Sequence, residues 1–229
     1  MFNSEDNKII QALGRIGNLI LINLLWIVFG PAISLAGLFF GYVLPMWASM
    51  LIITLGTIMI MPANIAFYYT VNKVVRKDES FIISTFFSSY LRVFGKTCFL
   101  SLILGSTTIL VYLNVNYLST VSELKSLILL YSNIVIFFMG LAWYLVLVAV
   151  YSRFKGKMKF LADLSLEMAI RFLPRTVGIL IITVAAFLVC SNISLVFLLV
   201  IPGAAVLLIC FLAEPMLSKY TKQENDSEE

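Results

Sequence analysis

Apolar residues run along this chain in long stretches, with short polar segments between them. A helix rises about 1.5 Å per residue, so roughly 20 apolar residues cross about 30 Å of hydrocarbon. The pattern predicts six such spans: about 16–40, 47–69, 97–117, 126–150, 176–190 and 193–217. The fifth is short and is expected to be either a full crossing or a half-span that returns at Ser191 and Asn192. The turn from Gly41 to Met46 is either a tight connection or a re-entrant bend. Runs this continuous read as helices, because barrel strands would give short alternating segments. The predicted class is therefore all-α, a polytopic helical membrane protein. Residues 1–217 form one transmembrane domain, followed by an acidic, disordered tail over 218–229.

Charge placement orients these spans. Lys8 and Arg15 precede the first. Lys73, Arg76, Lys77, Arg92 and Lys96 lie between the second and third. Arg153, Lys155, Lys157, Lys159, Arg171 and Arg175 lie between the fourth and fifth, and Lys219 and Lys222 follow the sixth. Of the 16 basic residues, only Lys125 falls in an alternate connection. The positive-inside rule then predicts that both termini are cytoplasmic. Composition agrees: 61% of the 229 residues are hydrophobic, 12% are charged, and the mean hydropathy is +1.02. Too few polar groups remain to cover a water-facing surface.

Candidate chemistry is sparse. Histidine is absent, which removes the commonest general base and metal ligand. Cys98, Cys190 and Cys210 lie in or beside apolar runs, form no C-x-x-C pair, and read as small buried side chains. No phosphate loop or nucleophile elbow occurs. No ionisable residue lies in the middle of a predicted span, where such groups usually mark function. Glu214 comes nearest and is expected at the membrane interface near Lys219. The expectation is a non-enzymatic protein with no catalytic residues, cofactor or metal, and no nucleic-acid partner.

Two inner segments carry the remaining signal. Asp78 to Phe94 offers an aromatic face of Phe81, Phe86, Phe87, Tyr90 and Phe94, bordered by Arg92 and Lys96. Lys159 to Arg171 offers Phe160, Leu161, Leu164, Met168 and Phe172, bordered by Arg171 and Arg175. Each segment is expected either to lie on the membrane, touching lipid or a partner subunit, or to extend a flanking span. The two also echo each other at an offset of 79. Arg76 aligns with Lys155, Phe81 with Phe160, Arg92 with Arg171, Lys96 with Arg175 and Thr97 with Thr176. The alternatives are a parallel internal repeat and the chance similarity of two basic loops. Three sites are expected to break or kink helices: Gly30-Pro31, Pro62 and Pro202-Gly203. Asn23 and Asn64 lie nearby and can hydrogen-bond between helices.

The stretch Asn23-Leu24-Leu25-Trp26 is followed by Pro62-Ala63-Asn64-Ile65-Ala66-Phe67. A basic turn comes next, and then Phe86, Tyr90, Phe94 and Lys96. This order resembles the YesL-like family of bacterial membrane proteins of unknown function. The likeness covers roughly the first half of the chain, and the distance from Trp26 to Pro62 is longer here than in the family pattern. The resemblance implies a multi-pass protein of the bacterial plasma membrane, typical of Firmicutes and found with carbohydrate importers of the ATP-binding-cassette (ABC) type. It implies an accessory subunit that contacts permease or ATPase subunits as well as membrane lipids. It supplies no catalytic or ligand residues. The alternatives are an independent small-solute permease or channel, and a lipid-interacting scaffold.

Overall fold

The computed structural model describes residues 4–40, 43–76, 81–119, 124–192 and 199–226. The described elements are helical throughout. In chain order they are α1 (Ser4–Phe29), α2 (Pro31–Phe40), α3 (Met46–Thr70) and a π-helical turn (Val71–Arg76). There follow α4 (Ile82–Ser119), α5 (Leu124–Arg153), α6 (Met158–Arg171), α7 (Leu173–Asn192) and α8 (Ile201–Asp226). Five helices are long and apolar enough to cross a membrane, and a sixth span arises if the bent pair α1–α2 counts as one. The protein is a multi-pass helical membrane protein.

The first span is broken at Gly30-Pro31, where the axis bends by 44°. Pro31 opens α2, a position where its missing N–H costs no helical bond. After α2 the chain turns back, with the Val43 and Leu44 amides bonded to the Phe40 carbonyl at 2.9 and 2.7 Å. Residues 41–42 of the expected turn lie outside the described residues. The returning α3 packs against α2 in antiparallel register, Gly37 beside Ile53 and Gly56 beside Ser34. A Cβ on Gly37 would sit 2.9 Å from the Ile53 amide nitrogen, and one on Gly56 would meet the Ser34 backbone. The hairpin closes this tightly only because both residues are glycine.

Several sequence expectations need correction. Pro62 does not break α3, which runs unbroken from Met46 to Thr70 with Met61, Pro62 and Ala63 all buried. Packing on every side holds the helix together there. Pro202-Gly203 does not interrupt the last span. It begins it, because α8 starts at Ile201 and proline is well tolerated in a first turn. Residues 193–198, where that span was expected to start, lie outside the described residues. The fifth span is longer than expected: α7 holds 20 residues, Leu173–Asn192, enough for a full crossing. At its far end α8 continues to Asp226, past the expected boundary at Leu217, through a segment free of proline and glycine.

The inner segments differ from each other. The first is continuous with the third span in the 38-residue α4, which is about 57 Å long and well beyond the bilayer core. Its candidate N-caps, Asp78 and Ser80, lie outside the described residues. The second is a separate helix, α6, split from α7 at Phe172, whose φ of −112° and ψ of 40° end the helical run.

The repeat has a structural counterpart. At the offset of 79, Phe86 and Ser165, Ser89 and Met168, Tyr90 and Ala169, Thr97 and Thr176, and Leu100 and Ile179 are all buried. Between them, Arg92 and Arg171 are both exposed, as are Leu91 and Ile170. Buried Phe67, Tyr68, Thr70 and Val71 likewise return as buried Val146, Leu147, Ala149 and Val150. Burial in phase at these positions is what two copies of one unit, helix, inner segment, helix, would give, although buried Val93 and Ser101 align with half-buried Phe172 and Leu180.

Buried positions gather toward the end of the bundle that carries the basic residues. They are concentrated within 61–75, 86–101, 146–152 and 205–217. The opposite halves of α4, α5 and α7 are largely exposed, and only 12% of the α4 span and 11% of the α7 span is buried.

Candidate functional site

The residues that carry the family resemblance meet inside the bundle. Asn23 and Trp26 stand one turn apart on α1, and Asn64 and Phe67 one turn apart on α3. The Trp26 ring stacks on Phe67 with centroids 5.1 Å apart and planes 17° from parallel. Its indole N–H donates to Asn64 Oδ1 at 2.6 Å. An indole nitrogen can only donate, so this bond fixes which end of the Asn64 amide faces it. The other end, Nδ2, donates to the Tyr144 hydroxyl of α5 at 2.6 Å. One asparagine thus ties α1, α3 and α5 together where no water competes for its hydrogen bonds.

Asn23 extends the joint to α8. It is fully buried and its Nδ2 donates to the Leu199 carbonyl at 2.6 Å, just before α8 begins. Gly203 allows the approach, since a Cβ there would lie 3.0 Å from Asn23 Nδ2 and from Leu19. Among the described residues, Asn23 Oδ1 is buried without a hydrogen-bond partner. The position of Asn64 in the second unit is occupied by Trp143. It too bonds across helices, its indole N–H donating to Ser165 Oγ of α6 at 2.9 Å.

The aromatic face expected to meet a partner is mostly turned inward. Phe86 is fully buried, Tyr90 is buried, and Phe87 and Phe94 are half-buried. They enclose Phe29 of α1, with Phe29 and Phe87 edge to face at 4.9 Å and Phe86 and Tyr90 stacked at 6.2 Å. The ring cluster is amphipathic by sequence because it packs against α1, and it is core rather than surface. Phe81 and Phe160 remain exposed, at 75% and 56%.

The basic residues form a rim. Arg92 lies over the Tyr69 ring at 5.1 Å and Lys73 over the same ring at 5.6 Å. Lys96 is exposed. Arg175 and Lys219 approach Phe172 at 5.7 and 5.9 Å. Arg171 faces Tyr220, whose hydroxyl donates to Glu167 Oε1 at 2.7 Å. The Tyr220 hydroxyl, and after it the Glu167 carboxylate, raise the Arg171 pKa, so this guanidinium stays charged. Glu214 pairs with Arg153 at 2.9 Å. Among the described residues no group of three histidine, cysteine or acidic side chains is placed to hold a metal.

Pro31, Pro62, Asn64 and Pro202 thus have distinct places: a kink, a buried helix interior, the polar joint and a helix start. The sequence reading missed Trp26 and Tyr144 as members of the joint. The signal for Trp26 was its spacing from Asn23, three residues along one helical face. Tyr144 carried none, because it lies 80 residues from Asn64.

These motif residues agree with a family assignment. Residues 19–115 match the DUF624 family, described as a protein of unknown function. The YesL-like proteins belong to that family, so the resemblance read from the motifs holds. The DUF624 segment contains α2, α3, the π turn and most of α4, and it includes Asn23, Trp26 and Asn64. Tyr144 and the whole second unit lie beyond it. No curated protein and no solved structure matches the chain.

Proposed function

We propose that this protein is a non-enzymatic membrane subunit that associates with an oligosaccharide importer of the ABC type. Both termini would face the cytoplasm of a bacterial plasma membrane, in keeping with the basic residues that flank alternate connections. The observation that carries the reading is the bareness of α4 and α7. Only about a tenth of the residues in the most apolar stretch of each is fully buried by the chain itself, which suits helices that dock against other membrane subunits. The YesL-like resemblance supplies the kind of partner. The test is native solubilisation in mild detergent followed by affinity capture of the full chain. Recovery of permease or ATPase subunits supports the proposal, and capture of the chain alone under conditions that preserve known importer complexes overturns it.

One observation favours a second reading, an independent small-solute permease. The Asn64 to Tyr144 hydrogen bond joins the two repeated units inside the bundle, and transporters place ligand sites at repeat interfaces. Proteoliposomes containing only this chain should then take up a labelled sugar or related solute faster than protein-free liposomes. Equal rates across such solutes would remove that reading.

A further inference from the structure

A cleft of about 410 Å³ lies between the middle of α1, the π turn and α8. Its lining is Arg15, Ile16, Leu19, Val75, Leu207 and Phe211. All but one of these are apolar, and they are ordered in depth. Arg15 stands at the basic end of the first span, and Leu19 lies one turn deeper along the same helix. On α8, Phe211 lies nearer the basic end and Leu207 one turn further in. The cleft is therefore cationic at its mouth and apolar along its length, with Leu19 and Val75 buried in its floor.

We propose that this cleft binds one glycerophospholipid, its phosphate on Arg15 and an acyl chain along Ile16, Leu19, Leu207 and Phe211. The polarity gradient matches that of a lipid standing in a leaflet. Guanidinium groups match phosphate oxygens through paired N–H donors. Basic pockets between spans at a membrane surface are a recurrent site for lipid head groups. A peptide fits poorly, because the lining offers its backbone almost no hydrogen-bond partners. A soluble anion would leave the apolar length of the cleft exposed.

The full chain, delipidated in mild detergent, is equilibrated with phosphatidylglycerol or with diacylglycerol of the same acyl composition. Retained lipid is then counted by native mass spectrometry. One phosphatidylglycerol per chain is expected, retained about fivefold more strongly than diacylglycerol, as one cation near a membrane surface provides. Arg15→Gln should bring retention down to the diacylglycerol level, while Lys155→Gln, outside the cleft, should not. Leu207→Trp, which fills the cleft, should lower retention of both lipids. Inorganic phosphate should not compete. The proposal is overturned if no lipid is retained, if Arg15→Gln and Lys155→Gln act alike, or if inorganic phosphate displaces the lipid.

Discussion

The Trp26 indole donates a 2.6 Å hydrogen bond to Asn64 Oδ1, joining the first span to the second inside the bundle. The same amide donates to Tyr144, so a single side chain satisfies polar groups on two other helices. Removing it leaves both unpaired where water cannot replace it. Asn64→Leu should therefore lower stability in detergent by about 1–3 kcal/mol, and Trp26→Phe by about 0.5–1.5 kcal/mol. Combining the two should cost less than their sum, because the bond is lost only once. Strict additivity in thermal unfolding would show that the bond contributes nothing.

The aromatic cluster makes a contrast between a residue of α4 and the one just before that helix. Phe86 is fully buried beside Phe29, whereas Phe81 is 75% exposed. Phe86→Ala should cost about 3–5 kcal/mol, the range for a buried phenylalanine, and Phe81→Ala close to none. Loss of a partner complex in Phe86→Ala would then report damage to the fold. Phe81→Ala is the variant that tests contact with a partner, read by co-purification at unchanged melting temperature.

Two glycines should respond to the same change with opposite signs. A Cβ on Gly56 would meet the backbone and hydroxyl of Ser34, while one on Gly95 would meet nothing within 4 Å. Gly95→Ala, on an exposed helical face, should stabilise by up to about 1 kcal/mol through helix propensity. Gly56→Ala must push α2 away from α3 and should destabilise by about 1–3 kcal/mol. Thermal unfolding of the two variants decides it. Equal stabilisation by both would mean that the hairpin is not closely packed.

The hydropathy pattern made the spans legible because hydrocarbon thickness sets their length, and it located α3, α4 and α5 well. It could not separate α6 from α7. The break at Phe172 lies two residues before Pro174, which lacks an amide donor and disfavours helix just before it, whereas the aligned position of the unbroken α4 is Gly95. Proline was a weaker guide than its local cost suggests: Pro31 kinks, Pro62 stays inside a helix, and Pro202 opens one. Aromatic periodicity identified the face of Phe86, Phe87, Tyr90 and Phe94 but not its destination. An amphipathic helix beside a membrane shows the same pattern whether its apolar side meets lipid, a partner or its own chain. The joint was half visible, since Asn23 and Asn64 are polar residues in apolar runs. Tyr144, remote in sequence, was not.

The repeated units allow a comparison that isolates the break between α6 and α7. Thr97 and Thr176 occupy the same position in the two units, and both are buried. Thr97 Oγ1 donates at 3.0 Å to the Val93 carbonyl, four residues back in the unbroken α4. That carbonyl already accepts a backbone bond in a continuous helix, so the hydroxyl adds little. Thr176 Oγ1 reaches across the break to the Ala169 carbonyl at 3.1 Å, as well as to Phe172 at 3.3 Å. A helix end leaves carbonyls without intrahelical donors, and a buried one left unmet costs about 1–3 kcal/mol. Thr176→Val should therefore destabilise by about 1–2 kcal/mol and speed amide exchange around residues 169–176, whereas Thr97→Val should change stability by less than about 0.5 kcal/mol. Thermal unfolding with hydrogen exchange of both variants in detergent provides the check. Equal effects would mean that the hydroxyl at Thr176 is not what closes the end of α6.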